Sequence, residues 1–592
     1  MEDPEKWYGI RLATDPFVYN GIIYFTENWI EGSKYRSSIY CFDGKEKIRL
    51  TFGGRERYPQ INNEKLFYIK YDESGEEIMV IDGLKEPKQV FNAKVITKYV
   101  FHGDSIAVIC KDQWNSDDPF EATTLRYRAD SKGLLRQRQK LLILYPDGSS
   151  KTAAEGKFDV TDVASNGKRL VFASTEGNDD TGMCNVFEFD DVTGQIKRIT
   201  SGEGSVESVC LSDDGKIAYT GNRDGLKTWT SGKLIIPEEG RTLDVENTTG
   251  NHILSDLFAA GSGTLLYSNG SFYTIGQSGA SSHVCRICDK VERITPDDIS
   301  VSSFDIRDGI LGYIYSSFEK PCVIVFNGIL DLNPDISGKI PEHMNVDGMD
   351  AWIMLSGKDK PSILSVHGGP HTAYGNSFFI EFNYLFKNGF NIIFGNPRGS
   401  AGYGDRFAEE CVGDWGGMDF LDLISFIDHA KEKFGLKENF SITGGSYGGF
   451  MVNNAIVKTD RFRCAIAERC VSNLMSMCGT SDIGFWFNAV ESGIKDPWSE
   501  DGMKRLLELS PISKVKKVKT PTMFLHGEND YRCPIEQSEQ MYTSLLHNGV
   551  PAVLVRYQKD SHEHARHGEP KNMVDRLKRK VDWFRKYQCL QN

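Results

Sequence analysis

The stretch that decides the fold runs Phe440-Ser441-Ile442-Thr443-Gly444-Gly445-Ser446-Tyr447-Gly448-Gly449, followed by Phe450-Met451-Val452-Asn453-Asn454-Ala455. A short apolar strand leads into Gly-x-Ser-x-Gly and a helix-like run leads out, which is the strand-turn-helix setting of a nucleophile elbow. Such a turn is too tight for bulk beside the serine, so glycines flank it. The N-terminus of the following helix adds positive potential where an oxyanion would develop. The pentapeptide is common by chance; its setting is what makes Ser446 a candidate nucleophile.

A serine hydroxyl is a weak nucleophile until a histidine takes its proton, and that histidine needs a carboxylate to fix its tautomer. Both are expected after the serine, in the order acid then base. The strand Met523-Phe524-Leu525 runs into His526-Gly527-Glu528-Asn529-Asp530 and places an acid in a loop at a strand's C-terminal end, where doubly wound sheets build sites. Asp530 is the expected acid. Glu528 competes with it, and Asp482 is weaker because it precedes that strand. The next strand, Ala552 to Tyr557, is followed by His562, His564 and His567. Position alone allows any of the three as base. His562 is favoured as nearest the strand end, with His564 and His567 expected on the loop surface, and His526 and His547 expected to be ordinary structural or exposed histidines. A second oxyanion donor should come from Val366-His367-Gly368-Gly369-Pro370, whose glycines let backbone N–H groups approach a substrate. Gly369, or Gly368, with the Tyr447 amide makes the expected pair.

Working outward, residues after about 336 alternate strands with helices. Ser362 to Val366 and Asn391 to Phe394 are continuous apolar runs of the kind parallel strands show when covered on both faces. Phe420, Ile424 and Ile427 share one helical face, as do Val574, Leu577, Val581 and Phe584. These features predict an α/β-hydrolase fold, a mostly parallel doubly wound sheet, over residues 336–592. From about 15 to 335 the grammar is different: short strands and turns, with almost no helical period. Gly21 to Phe25, Ser38 to Phe42, the turn Asp43-Gly44 and Lys47 to Thr51 form one unit, and similar units recur at Ser165 to Thr200 and Gly263 to Thr295. Arg198 and Arg293 end units about 95 residues apart, or two repeats near the length of a propeller blade. An all-β propeller of about seven blades over residues 1–335 follows, since a single blade cannot bury its own faces.

The chain has 592 residues, too many for one core, and its 40% hydrophobic and 26% charged residues are those of a globular protein. The net charge of −13 spreads over both halves, against partnership with nucleic acid or anionic membrane. The most basic stretch, Arg126 to Lys140, reads as a solvated loop and strand. The N-terminus, Met1-Glu2-Asp3-Pro4, lacks the apolar core of a signal peptide, and no later run is long enough to span a membrane. Thirteen scattered cysteines fit a reducing compartment, so a cytoplasmic protein is expected. Cys285 and Cys288 have metal or redox spacing but no accompanying pair, and neither metal nor cofactor is expected.

His367-Gly368-Gly369-Pro370, Asn396-Pro397-Arg398-Gly399-Ser400 with Gly402-Tyr403-Gly404, Gly413 to Gly417, Gly444 to Gly449, and His526-Gly527-Glu528 with Asp530 and Arg532-Cys533-Pro534 occur in one order along the chain. In this series the chain resembles the prolyl oligopeptidase family, in its acylaminoacyl-peptidase-like branch. The resemblance implies Ser446, Asp530 and His562 as triad, the last through Ser561-His562-Glu563. It also implies an oxyanion hole at Gly369 and Tyr447, and a propeller that admits only short peptides. Phe485, Trp486 and Phe487 would line an apolar pocket or serve as ordinary core, and Arg532 would hold a substrate carbonyl or a structural salt bridge. Dipeptide-releasing members hold the free amine with paired propeller glutamates. The one adjacent pair in a plausible unit here, Glu76-Glu77, leads a strand that would send the two apart. The expectation is therefore acylaminoacyl or oligopeptide cleavage, with carboxylesterase and dipeptidyl peptidase as alternatives and an inert propeller-based binding protein as the rival from another class. An unpaired edge strand leaves room for a homo-oligomer.

Overall fold

The computed structural model of the protein describes residues 3–83, 85–114, 118–258 and 264–588; Met1, Glu2, Gly263 and Cys589 lie outside them. Seven four-stranded antiparallel blades follow one another at 12–49, 56–93, 95–154, 160–198, 206–244, 265–293 and 300–331. The sixth and seventh touch through a parallel bridge between Ser282 and Ser300 and so count as one sheet. The apolar clusters lie between blades: Ile69 and Ile78 of the second pack with Ile96, Tyr99 and Val108 of the third, and Ile109 and Leu141 of the third with Leu170 and Phe172 of the fourth. This is the physical reason the repeats form a ring. Among the described residues no strand is exchanged where the ring closes; instead the Val18 amide of the first blade donates to Asp305 Oδ2 of the seventh at 2.7 Å.

The second half holds eight strands: β1 (Glu342–Val346), β2 (Met349–Met354), β3 (Ser362–Val366), β4 (Asn391–Gly395), β5 (Phe440–Ser446), β6 (Phe462–Cys470), β7 (Thr522–Gly527) and β8 (Ala552–Tyr557). Their order in the sheet is β1-β2-β4-β3-β5-β6-β7-β8, parallel from β4 onward. Of the helices, five position the site: α1 (Ile380–Lys387), α2 (Met418–Phe434), α3 (Tyr447–Lys458), α4 (Gly484–Glu491) and α5 (Glu536–His547); α6 (Pro570–Gln588) closes the fold. Neighbouring strand residues serve opposite faces. Leu364, Ile393 and Phe524 pack with α2, α3 and α5, while Ile363, Ile392 and Met523 pack with α1 and α6. Burial on both faces explains the uninterrupted apolar runs.

The second of these cores does not stop at the hydrolase half. It continues through Trp7 and Tyr8, in a short 3-10 turn at Pro4–Gly9, to Ile23, Phe25 and Phe326 of the first and seventh blades. The chain's first turn is thus part of the seam between the two halves.

Candidate active site

Strand β5 ends on Ser446 with φ 62° and ψ −123°, a left-handed conformation that a residue with a Cβ adopts at a cost of about 1–3 kcal/mol. The surrounding glycines make the turn possible. A Cβ on Gly448 would lie 2.2 Å from the Val366 carbonyl oxygen, and one on Gly449 2.7 Å from the Glu468 carbonyl oxygen. Helix α3 starts at Tyr447, so its first amides have no partner within the helix and face the site.

The loop after β7 carries Asp530 and the loop after β8 carries His562. Asp530 Oδ2 lies 2.8 Å from His562 Nδ1. A carboxylate only accepts, so Nδ1 is the donor and Nε2 is left free to take a proton. Asp530 Oδ1 accepts from the Cys533 amide at 2.8 Å. His526 adds a further hold: its Nε2 reaches the Cys533 carbonyl at 2.7 Å and Asp530 Oδ2 at 3.2 Å, while Nδ1 accepts from the Ser538 hydroxyl at 2.7 Å. Burial alone would raise the Asp530 pKa, but the two imidazoles outweigh it and keep the carboxyl well below the usual carboxylate range. The competing acids are engaged elsewhere, Glu528 with Arg556 at 2.6 Å and Asp482 with Arg532 at 2.8 Å.

Ser446 and His562 line one cavity of about 240 Å³. Ser446 Oγ meets Cys533 Sγ at 3.9 Å, and among the described residues it has no hydrogen bond to His562. Contacts between a nucleophile and its base commonly tighten only when substrate is bound. Gly368 and Gly369 form the wall facing Tyr447. Gly369 has φ 118°, and a Cβ there would lie 2.7 Å from the His371 nitrogen. Tyr447 is fixed from below: its hydroxyl donates to Asp419 Oδ2 at 2.5 Å, and its ring meets Trp415 edge-on at 5.0 Å. Burial raises the Asp419 pKa to about 6 against the pull of these hydrogen bonds.

Several expectations change. The apolar wall of the cavity is made by Val471, Met477, Ile483 and Phe487; Phe485 and Trp486 are not on it, because successive helical residues point about 100° apart. Arg532 does reach the cavity, with its guanidinium in a two-pronged pair with Asp482. His564 is buried against Glu468 at 3.4 Å rather than on the loop surface, whereas His567 is exposed. His526, expected to be an ordinary structural or exposed histidine, is the structural kind, buried against Asp530.

The largest departure concerns Arg126 to Lys140. Instead of a solvated loop it contains a hairpin, Arg128–Ala129 paired with Gly133–Leu134, which leaves the third blade and enters the site. Asp130 Oδ1 accepts from the amides of Tyr531 at 3.0 Å and His562 at 3.2 Å, and the Asp130 amide donates to Asp482 at 2.9 Å. Ser131 Oγ lies 2.9 Å from Ser561 Oγ, and Arg128 stacks on Tyr531 at 5.0 Å. One propeller carboxylate therefore ties together the loops that carry Asp530 and His562. Nothing local marks this in the sequence, since the partners lie about 400 residues downstream.

An eight-stranded sheet of this order, with an elbow on its fifth strand, defines an α/β-hydrolase, here roofed by a propeller. Comparison with known proteins narrows the class. Residues 26–321 match the acylaminoacyl-peptidase N-terminal β-propeller domain, and residues 376–590 match the prolyl oligopeptidase family. The uncharacterized peptidase YuxL of Bacillus subtilis is 31% identical over 97% of this chain and 94% of its own. The acylamino-acid-releasing enzyme of Arabidopsis thaliana is 36% identical over 39% of this chain, a match that spans 31% of that enzyme. The acylaminoacyl peptidase of Pyrococcus horikoshii superposes with a TM-score of 0.86 at 21% identity, over 99% of this chain and 97% of that one. This chain belongs to the prolyl oligopeptidase family of serine peptidases.

Proposed function

We propose that the protein cleaves short peptides by acyl transfer, as an acylaminoacyl peptidase or oligopeptidase, with Ser446 as nucleophile. Residues 1–335 serve as the cap and residues 336–592 as the catalytic domain. His562 takes the serine proton as Oγ attacks the scissile carbonyl, then gives it to the leaving amine; water releases the acyl-enzyme by the same route. Asp530 holds the imidazole and stabilises its cation. The amides of Tyr447 and Gly369 receive the oxyanion, each worth about 2.7–4 kcal/mol of transition-state stabilisation in comparable sites. The side chain before the cut enters the apolar wall at Met477, Ile483 and Phe487. The observation that carries this reading is the 2.8 Å pair of His562 and buried Asp530 on the cavity that Ser446 lines.

Release of dipeptides from free N-termini is disfavoured by what became of the glutamates. Glu76 binds Arg57 at 3.0 Å and the Ile96 amide at 2.6 Å, while Glu77 faces Lys70 at 3.6 Å. Neither is free for a substrate amine. A cytoplasmic site of action is supported by the twelve described cysteines, all unpaired. No helix of the described residues is long and apolar enough to cross a membrane.

The test uses matched chromogenic substrates: an N-acetylated amino-acid anilide, a dipeptide anilide with a free amine, and a nitrophenyl ester, beside Ser446→Ala. Faster Ser446-dependent cleavage of the blocked anilide is expected. Preference for the free amine would convert the reading to a dipeptidyl peptidase, and cleavage of the ester alone would leave an esterase.

A further inference from the structure

Strands β5 and β6 run parallel with Gly445 opposite Glu468 and Ser446 opposite Cys470, so Arg469 is one residue too many in β6, inserted beside the nucleophile. Its φ of 37° is left-handed, unusual for a long side chain. An inserted residue of this kind re-aims a side chain next to a site, and backbone strain of this kind gathers where function requires it. Arg469 lines the active-site cavity together with Ser446 and His562, and also a smaller one of about 70 Å³ behind Gly445 that is lined by Asp256, Glu381 and Glu468. Its guanidinium lies against Gly445 so closely that a Cβ there would sit 2.8 Å from Cζ. The glycine preceding the nucleophile thus also makes room for this arginine.

Among the described residues the Arg469 guanidinium has no hydrogen bond or ion pair, and its Nε is buried without a partner. The nearby carboxylates act on it only through space and are already held. Glu563 pairs with Arg566 at 2.5 Å, and Glu468 binds Lys580 at 2.6 Å and also pairs with Arg576. An arginine stays charged in proteins, and a cation out of bulk water with no carboxylate paired to it is costly. Such a group is provided for when an anion arrives with the substrate.

Its place on the wall indicates which anion. The apolar side of the cavity, Met477, Ile483 and Phe487, lies on the helices after β6; Arg469 stands instead with His562, Glu563 and Arg566 of the base loop. His562 hands its proton to the leaving amine, so this is the leaving-group side. The whole cavity, apolar wall included, is about 240 Å³, which suits a short leaving peptide rather than a long one.

We infer that Arg469 is a carboxylate-binding residue of the active site, holding the C-terminal carboxylate of a short leaving peptide and so favouring substrates that end one or two residues beyond the cut. This rests on the peptidase reading above. It adds a specificity that the triad and the apolar wall do not supply.

The test compares acetyl-Phe-Ala with a free C-terminus, its C-terminal amide, and the acetyl-Phe anilide, on wild type, Arg469→Met and Arg469→Lys. Fluorophosphonate labelling of Ser446 and sodium acetate titration accompany each. For wild type the amide is expected to raise KM by roughly tenfold over the free acid, the scale of one hydrogen bond to a charged group. Arg469→Met should erase that difference while anilide cleavage and labelling stay within about twofold, and Arg469→Lys should restore part of it. Acetate should compete against the free acid in wild type, more weakly in Arg469→Lys, and not in Arg469→Met. Equal KM values for acid and amide in wild type overturn the proposal, whether or not acetate competes; competition without discrimination would mark a site for free anions alone. Loss of labelling and of all three substrates together in Arg469→Met, with no rescue by Arg469→Lys, would assign the arginine to the elbow's structure and also overturn it. Should wild type cut only a nitrophenyl ester, the peptidase reading has failed by itself. The arginine is then read by inhibition of ester cleavage, where stronger inhibition by Ala-Ala than by Ala-Ala amide in wild type and not in Arg469→Met is the supporting result, and equal inhibition the overturning one.

Discussion

Asp530 keeps its charge in a buried loop because every oxygen lone pair that matters has a donor: the Cys533 amide, His526 and His562. Asp530→Asn preserves the shape but offers an amide whose orientation no longer demands Nδ1–H on His562. Steady-state assays on the blocked anilide should then show kcat down by about 10⁴, with Ser446→Ala lower still. His367, by contrast, is held neutral. Burial lowers its pKa to about 4, with Nδ1 against the Gly368 carbonyl at 2.7 Å and Nε2 at the Ser400 hydroxyl at 2.9 Å. The unfolded chain takes up this proton near pH 6.5 and the folded one only near pH 4. The contribution of His367 to stability is therefore intact above about pH 6.5 and is lost progressively as pH falls toward 4. Urea midpoints at pH 7 and pH 5 should differ less in His367→Asn than in wild type, whatever the cost of the substitution common to both.

The elbow is an element whose geometry leaves no slack. Gly448 sits where a single methyl group would overlap the Val366 carbonyl oxygen, so Gly448→Ala has to push α3 away from β3. That displacement moves the Tyr447 amide and the serine together. A loss of at least about 2 kcal/mol in urea unfolding is expected, along with weak fluorophosphonate labelling. Much of this element is readable from its own residues, because a strand, a glycine turn and a helix are local and their periods change within a dozen positions. Asp530 was placed for a similar reason, since it follows a recognisable strand, whereas position alone left His562, His564 and His567 open and the family resemblance chose His562. Arg469 was not legible. Its role depends on an extra residue in β6, and register between two strands is a property of the pair rather than of either sequence.

For the whole molecule, the two halves are coupled where catalysis would occur. Asp130 joins the acid and base loops, Thr228 of the fifth blade donates to Glu491, and the Ser231 amide donates to Asp405 at 2.8 Å. Removing the Asp130 carboxylate leaves two loop amides without their acceptor and frees His562 to drift. Because small misplacements of a catalytic group are expensive, Asp130→Ala should lower kcat on the blocked anilide by up to about a hundredfold. Asp130→Asn, which retains an acceptor oxygen, should lower it less. Thermal unfolding of both variants should stay close to wild type, since neither apolar core includes this residue.

By itself the sequence determined the blade repeat, the α/β half, the elbow serine and the order of acid and base, because each rests on local period, turn chemistry or short spacing. Only the tertiary structure decided which aromatics face the cavity, that His526 meets Asp530, that Asp130 crosses from the propeller to the loop of His562, and that Arg469 stands unpaired beside Ser446. Apart from His526, four positions from Asp530, those facts are contacts between residues tens to hundreds of positions apart, or the absence of such contacts. They come into being only when the ring closes over the sheet and the folded chain fixes which groups meet.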